Sequence, residues 1–417
     1  MRKIPATTRL IGLLGAALSL AALASAGSTT ARAEVLDPSI PRTVVVGKPR
    51  GFATAERVDP QRSGRSPSRL PFPPVERWRR NLGGSIELPP VVDESGRILV
   101  ALSVPEVVAM SSEGKEIWRA RIGSAAAIAP PVLTSDGTLV VVTAAGVAVG
   151  VSREGRVRFA TPLGMRGRDL DAGPLARSDG GVVLGGRAII ELDADGAVRS
   201  RAPLPERAVG ALLEGPEGTL ATGESGAVYA FRPPGAPRKI ASFGGPLRRG
   251  ASLSGGRTLF AVVGGRSVVG LDLPTGLTHV RLGDAGLGIY DDPITVHPKG
   301  LAVAATSTGL LLGADASGNE KIRIALEKGA DAGAAAPAAS ASFFGTGAER
   351  PSPPLIIDRE GRIAFARQSG RVGVAMPDGS VALAGERMCN GPVALQPAGE
   401  DKLVLVCREG TIWMLGK

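Results

Sequence analysis

Cysteine and histidine are scarce in this chain, with two of each among 417 residues. Cys389 and Cys407 do not form a C-x-x-C pair, and neither His279 nor His297 has a second histidine or cysteine at ligand spacing. A zinc site and a dithiol redox centre are therefore not indicated. Both histidines read as surface residues, His279 in an alternating strand and His297 in a turn. Aromatic residues make up only 3% of the chain, which disfavours a sugar-stacking site. No G-x-S-x-G elbow and no G-x-x-x-x-G-K-[ST] loop occurs, so neither a serine nucleophile nor a phosphate cradle is signalled. Asp291-Asp292 and Asp193 with Asp195 lack the spacing of a calcium loop and read as turn chemistry.

The N-terminus carries the marks of export. Arg2, Lys3 and Arg9 precede an apolar run from Leu10 to Ala24, and Ala31-Arg32-Ala33 supplies an A-x-A cleavage site. The run is short for a membrane span. We read residues 1–33 as a signal peptide, leaving no transmembrane span after processing and a periplasmic or extracellular product. No cysteine lies near the cleavage region to accept a lipid anchor.

The formal charge is +10, and its distribution decides what it means. Residues 1–33 carry +4, and residues 34–80 carry ten basic against five acidic groups, leaving the remainder near neutral. Such a distribution does not coat a folded face, so nucleic-acid binding is not expected. Residues 34–74 are rich in Pro, Arg and Ser, and read as an extended or disordered linker. The linker is either simply solvated or makes weak contact with an anionic surface.

From there a repeat takes over. Gly96, Gly137, Gly180, Gly218, Gly256, Gly300, Gly361 and Gly399 mark a period of roughly forty residues. Within one period, Pro89–Val92, Arg97–Leu102, Glu106–Met110 and Glu116–Arg121 read as four short strands separated by glycine turns. The first strands are continuously apolar, as inner doubly covered strands must be, whereas the fourth alternates and has one face in water. A forty-residue β unit cannot bury its own apolar face and must stack on neighbours. The pattern predicts an all-β, eight-bladed β-propeller with four antiparallel strands per blade, spanning 75–417.

The ends carry the closure. The last unit, from Pro392 to Leu415, is one outer strand short. Val75–Gly83 matches Lys115–Gly123 in register, with Glu, Trp, Arg and Gly at identical offsets. That orphan strand is expected to complete the final blade, placing Trp78 beside Trp413 and Met414 and removing exposed sheet edges. Cys389 and Cys407 then fall at one end of the closing blade, where an exported chain is expected to form a structural disulfide. Between Gly329 and Pro353 the period stretches through an Ala- and Gly-rich insertion, taken here as 329–352. It is either a solvated loop, or Phe343 and Phe344 anchor a partner or cover the axial funnel.

The unit Gly96–Ala101, Val107–Met110 and Gly114–Trp118 resembles the pyrroloquinoline-quinone-type propeller repeat, as do Gly265–Gly276 and Ile189–Gly196. The resemblance runs over 75–417, with the repeat tryptophan kept only at Trp78, Trp118 and Trp413. It implies one of two branches. Quinoprotein dehydrogenases hold the quinone and calcium on the propeller axis; scaffolds such as the propeller subunit of the bacterial outer-membrane β-barrel assembly machinery are not enzymes. This chain lacks the dehydrogenases' vicinal cysteine pair and long insertions, and it lacks the lipid-anchoring cysteine of the assembly subunit. We read it as an exported, non-catalytic scaffold for an envelope or secreted protein, with no cofactor. The alternative is an oxidoreductase using pyrroloquinoline quinone (PQQ) and calcium.

Overall fold

The computed structural model describes residues 47–283, 288, 293–306, 309–326, 353–368, 370–385 and 387–417. The leader, Asp291-Asp292, and Phe343 and Phe344 of the inserted loop lie outside the described residues. Eight antiparallel sheets follow one another along the chain as the blades of a propeller. Blades 1 to 7 occupy 91–121, 132–162, 172–203, 213–242, 252–282, 295–325 and 356–383. Blade 8 takes its three inner strands from 392–416 and its outer strand from 75–81.

Burial follows the strand position. Leu139–Val142 of blade 2 is buried at every residue because neighbouring blades cover both faces, whereas the outer strand Glu116–Arg121 buries only Ala120 fully. The turns between first and second strands repeat one device. In blade 1, the Asp93 carboxylate accepts the N–H groups of Ser95 and Arg97, and Gly96 sits at φ +79°, where a side chain is strained.

Ring closure occurs at blade 8. Val75–Asn81 pairs antiparallel with Thr411–Gly416, and Trp78 stands opposite Met414. The Trp78 indole reaches on into blade 1. It lies over Gly114, where an added Cβ would come within 2.7 Å of the ring, and its Nε1 donates to the Ser112 carbonyl at 2.9 Å. Trp118 makes the same contact one blade on, over Gly155 and with the Arg153 carbonyl at 2.8 Å. Phe159 repeats the packing over Gly196. Aromatic side chains thus latch blade 8 to 1, 1 to 2, and 2 to 3. Trp413 lies in the blade 7–8 core, with the Arg79 guanidinium over its ring at 5.3 Å.

Residues 47–74 correct the expectation of a solvated linker. Gly51–Ala53 adds to the inner edge of blade 1 as a fifth strand, opposite Val91–Asp93. The chain then runs round the axis and meets the inner strands in blade order. Leu133 of blade 2 donates to the Thr54 carbonyl, Glu214 of blade 4 to Pro60, Leu253 of blade 5 to Gln61, and Val296 of blade 6 to Ser63, all at 2.8–2.9 Å. Ile357 of blade 7 donates to Gly64, and Asp401 of blade 8 to Arg69. At blade 3, the Glu56 carboxylate fills the space that a side chain at Gly173 would occupy. This inner belt pairs about one residue per blade, so it shows neither strand nor helix periodicity. Its polar composition suits the unpaired backbone groups that every inner strand turns toward the axis.

Replacing Trp78 by Ala should lower unfolding stability by about 2 kcal/mol, less than the roughly 3–5 kcal/mol of a fully buried aromatic because the indole is only half-buried. Trp78→Phe should recover most of that loss. Urea denaturation of both variants measures it; an unchanged midpoint for Trp78→Ala would contradict the latch.

Candidate functional site

The loops that enter the inner strands converge around the axis and enclose a funnel of about 510 Å³. Prolines stand at these entries, among them Pro89, Pro130, Pro293, Pro354 and Pro392. A proline fixes φ and lacks an N–H, which suits a residue at the start of a strand and stiffens the rim.

The belt supplies Glu56, Arg57 and Arg62 to the funnel wall. Arg57 is buried, and its guanidinium donates to the carbonyls of Pro293 at 2.7 Å and Ile294 at 2.9 Å, to Thr295 Oγ1 at 3.0 Å and to the Arg62 carbonyl at 3.1 Å. Arg62 is 1% exposed; its Nη2 pairs with Glu56 at 2.8 Å, while Nε and Nη1 have no hydrogen-bond partner. The turn between them is organised by Asp59, which accepts the N–H groups of Gln61 and Ser63, both at 3.0 Å, and the Ser63 hydroxyl. Burial pushes the Asp59 carboxyl up, and these hydrogen bonds only partly offset the shift. At the rim, Asp171 pairs with Arg207, and Glu87 with Arg408 at 3.2 Å.

Calcium requires six to eight oxygen ligands, several of them carboxylates. Each of the three carboxylates described in the funnel is held by an arginine, so the donor set does not fit a calcium ion.

The other residues singled out in the sequence lie apart from the funnel floor. Cys389 and Cys407 are joined in a disulfide with Cα atoms 5.6 Å apart, both buried in the closing blade. Asp193 accepts the N–H groups of Asp195 and Ala197 and so organises a blade turn. His279 is exposed on the outer strand of blade 5. His297 corrects the expectation of a surface histidine, since it is only 8% exposed. The next blade covers it: an added Cβ at Gly361 would lie 2.9 Å from its Nε2. Its Nδ1 accepts the Lys299 N–H at 3.0 Å. Burial lowers its pKa, the charges of Lys299 and Arg65 lower it further, and Asp358 opposes them.

Sequence reasoning missed Glu56, Arg57, Asp59 and Arg62 because they sit in a stretch that reads as linker. The usable signal was Asp59-Pro60-Gln61-Arg62-Ser63, an aspartate followed by two groups able to donate back to it.

Residues 74–160, covering the closing strand and the first two blades, match the family model described as outer membrane protein assembly factor BamB. The likeness to that family is one of residues 74–160. BamB from Moraxella catarrhalis superposes with a TM-score of 0.58 at 15% identity, covering 82% of this chain and all of that one. The computationally designed Ika8 protein gives 0.62 at 12% identity, covering 81% of this chain and 98% of that one. Sqt1 of Saccharomyces cerevisiae gives 0.62 at 10%, covering 82% and 99%. At these identities the likeness to solved structures is one of fold. A search of the curated proteins found no match.

His297 yields a pH test. Its folded pKa lies below the usual imidazole value of about 6.5, so the unfolded chain takes up a proton first as pH falls. Stability should therefore decline as pH drops below about 6.5, and His297→Gln should flatten that slope, whereas His279→Gln should not. Denaturant midpoints measured from pH 7.5 to 5 report the difference; an unaltered slope in His297→Gln contradicts it.

Proposed function

We propose that this chain is a non-catalytic scaffold of the cell envelope that holds a partner protein at the mouth of its axial funnel. The observation that carries the reading is the funnel itself: proline-stiffened loops converge on it, and the belt braces it from within. Its described lining groups are suited to binding rather than bond-making, because the carboxylates are committed to arginines and no histidine or cysteine lines it. The BamB-type match over residues 74–160 supports an assembly role of this kind.

In this reading the leader exports the chain to the periplasm or beyond, where the Cys389–Cys407 bond persists. Among the described residues no helix is long and apolar enough to cross a membrane. No cofactor and no nucleic acid takes part. Phe343 and Phe344, in the insertion between blades 6 and 7, add a candidate anchor for the partner.

Site-resolved photo-cross-linking in cells tests the proposal. A photoreactive residue at Val393, on the funnel wall, should give a discrete adduct with one partner protein. The same residue at Val280, exposed on the outer strand of blade 5, should not. No adduct at Val393, or equal adducts at both positions, would overturn the reading.

A further inference from the structure

At three seams between blades, an aromatic side chain from one outer strand covers a turn glycine of the next blade: Trp78 over Gly114, Trp118 over Gly155 and Phe159 over Gly196. The seam between blades 6 and 7 has the register for the same contact. Ile322 stands opposite Gly313 as Trp118 stands opposite Ala109. Gly379 closes its turn onto Met376 as Gly114 does onto Ser111. The covering ring is missing, however. Ile322 folds back on Gly313 of its own blade, where an added Cβ would lie 2.9 Å from the Ile322 Cβ. An added Cβ at Gly379 would meet nothing within 4 Å, and Gly379 is exposed where Gly114 and Gly196 are buried.

In place of a ring there is a cavity of about 590 Å³ between the outer strand of blade 6 and the turns of blade 7. It opens on the face away from the funnel, because the turns that line it lie at the opposite end of each blade from the entries to the inner strands. Ile322, Ile324, Ile363 and Pro377 give it apolar walls. His297, 8% exposed, also lines it. Its Nδ1 accepts the Lys299 N–H, so the neutral imidazole carries its proton on Nε2, which has no acceptor among the described residues. Charge at the rim is balanced. Lys321 pairs with Asp315 at 3.5 Å and Arg323 with Glu320 at 2.6 Å, leaving Lys299 and Asp378, one of each sign.

We propose that this cavity binds a tryptophan side chain of a partner polypeptide, which takes the place that the chain's own rings take at the other seams. The molecule itself displays the fit. The Trp78 and Trp118 indoles donate to the carbonyl of the second turn residue, Ser112 and Arg153 respectively. In the turn at 376–379 the second residue is Pro377, so its carbonyl is the corresponding acceptor. The His297 Nε2–H is suited to a backbone carbonyl of the bound segment. A balanced rim favours a neutral segment over a nucleic acid or an anionic surface, which need a positive excess. The volume falls within the roughly 300–1,000 Å³ of small-ligand sites, enough for the ring and adjoining backbone. Affinity would come mainly from burying the ring. The cavity and the funnel lie on opposite faces, so occupancy of one is independent of what the other receives.

Fluorescence anisotropy with the full chain tests this. The probe is a labelled, uncharged peptide of Gly and Ser with one central Trp, compared with the same peptide carrying Leu instead. The Trp peptide should bind saturably, change little with salt, and bind at least about fivefold more tightly than the Leu peptide. Ile322→Trp supplies the missing ring from within, so it should weaken binding about tenfold or more and raise the urea midpoint. Val280→Trp, at an exposed position on the outer strand of blade 5, should do neither. A photoreactive Trp analogue in the probe gives a readout on the unaltered chain, with adducts expected at 321–324 and 377–379. Equal binding of the Leu peptide, binding that Ile322→Trp leaves unchanged, or adducts confined to other segments would overturn the proposal. If Ile322→Trp does not fold, the adduct positions decide.

Discussion

Every blade of this propeller ends, on the axial side, in a strand with one unpaired edge. Backbone N–H and C=O groups buried without partners cost on the order of 1–3 kcal/mol each, so eight such edges around a channel are a serious structural demand. The belt at 47–70 answers it by carrying carbonyls past six inner strands and a turn of blade 8, in the order in which the blades occur. The same length of chain then leaves the axis and becomes the outer strand of blade 8. One N-terminal segment thus holds the ring from inside and seals it from outside.

That arrangement explains where the positive charge goes. Arg57, Arg62 and Arg69 belong to the belt, and their side chains bind carbonyls, Glu56 and Asp401 rather than extending into solvent. The Arg69–Asp401 pair fastens the belt to blade 8, and the arginine holds the aspartate carboxyl below its ordinary range. The funnel therefore inherits its electrostatic character from the residues that brace the ring. The brace of the ring and the floor of the funnel share one structural cause, since Glu56, Arg57 and Arg62 belong to both.

The architecture was largely legible in the sequence. The glycine period located the blades, and the register of Val75–Gly83 against Lys115–Gly123 placed Trp78 opposite Met414. Both features are local and repeated, so each copy reinforces the next. The belt was not legible because its partners are spread over some 270 residues, from Leu133 to Asp401, and each takes only one or two bonds. Pro60, Arg62, Ser63 and Gly64 look like linker when read alone; the ring around them gives them their structure. His297 was misread for a related reason, since its cover is Gly361 of the following blade rather than any sequence neighbour. The funnel's charge was hidden because two of its arginine–acid pairs, Arg207 with Asp171 and Arg408 with Glu87, join residues from different blades.

Amide hydrogen exchange on the intact protein tests the brace most directly. Leu133, Glu214, Leu253, Val296, Ile357 and Asp401 donate to belt carbonyls. If the belt folds as one unit with the ring, these amides should exchange only through global opening, as slowly as the buried amides of Val140 and Val404 within the sheets. Exchange orders of magnitude faster at these six positions, with Val140 and Val404 still protected, would show a belt that opens while the propeller stands, and would contradict the account.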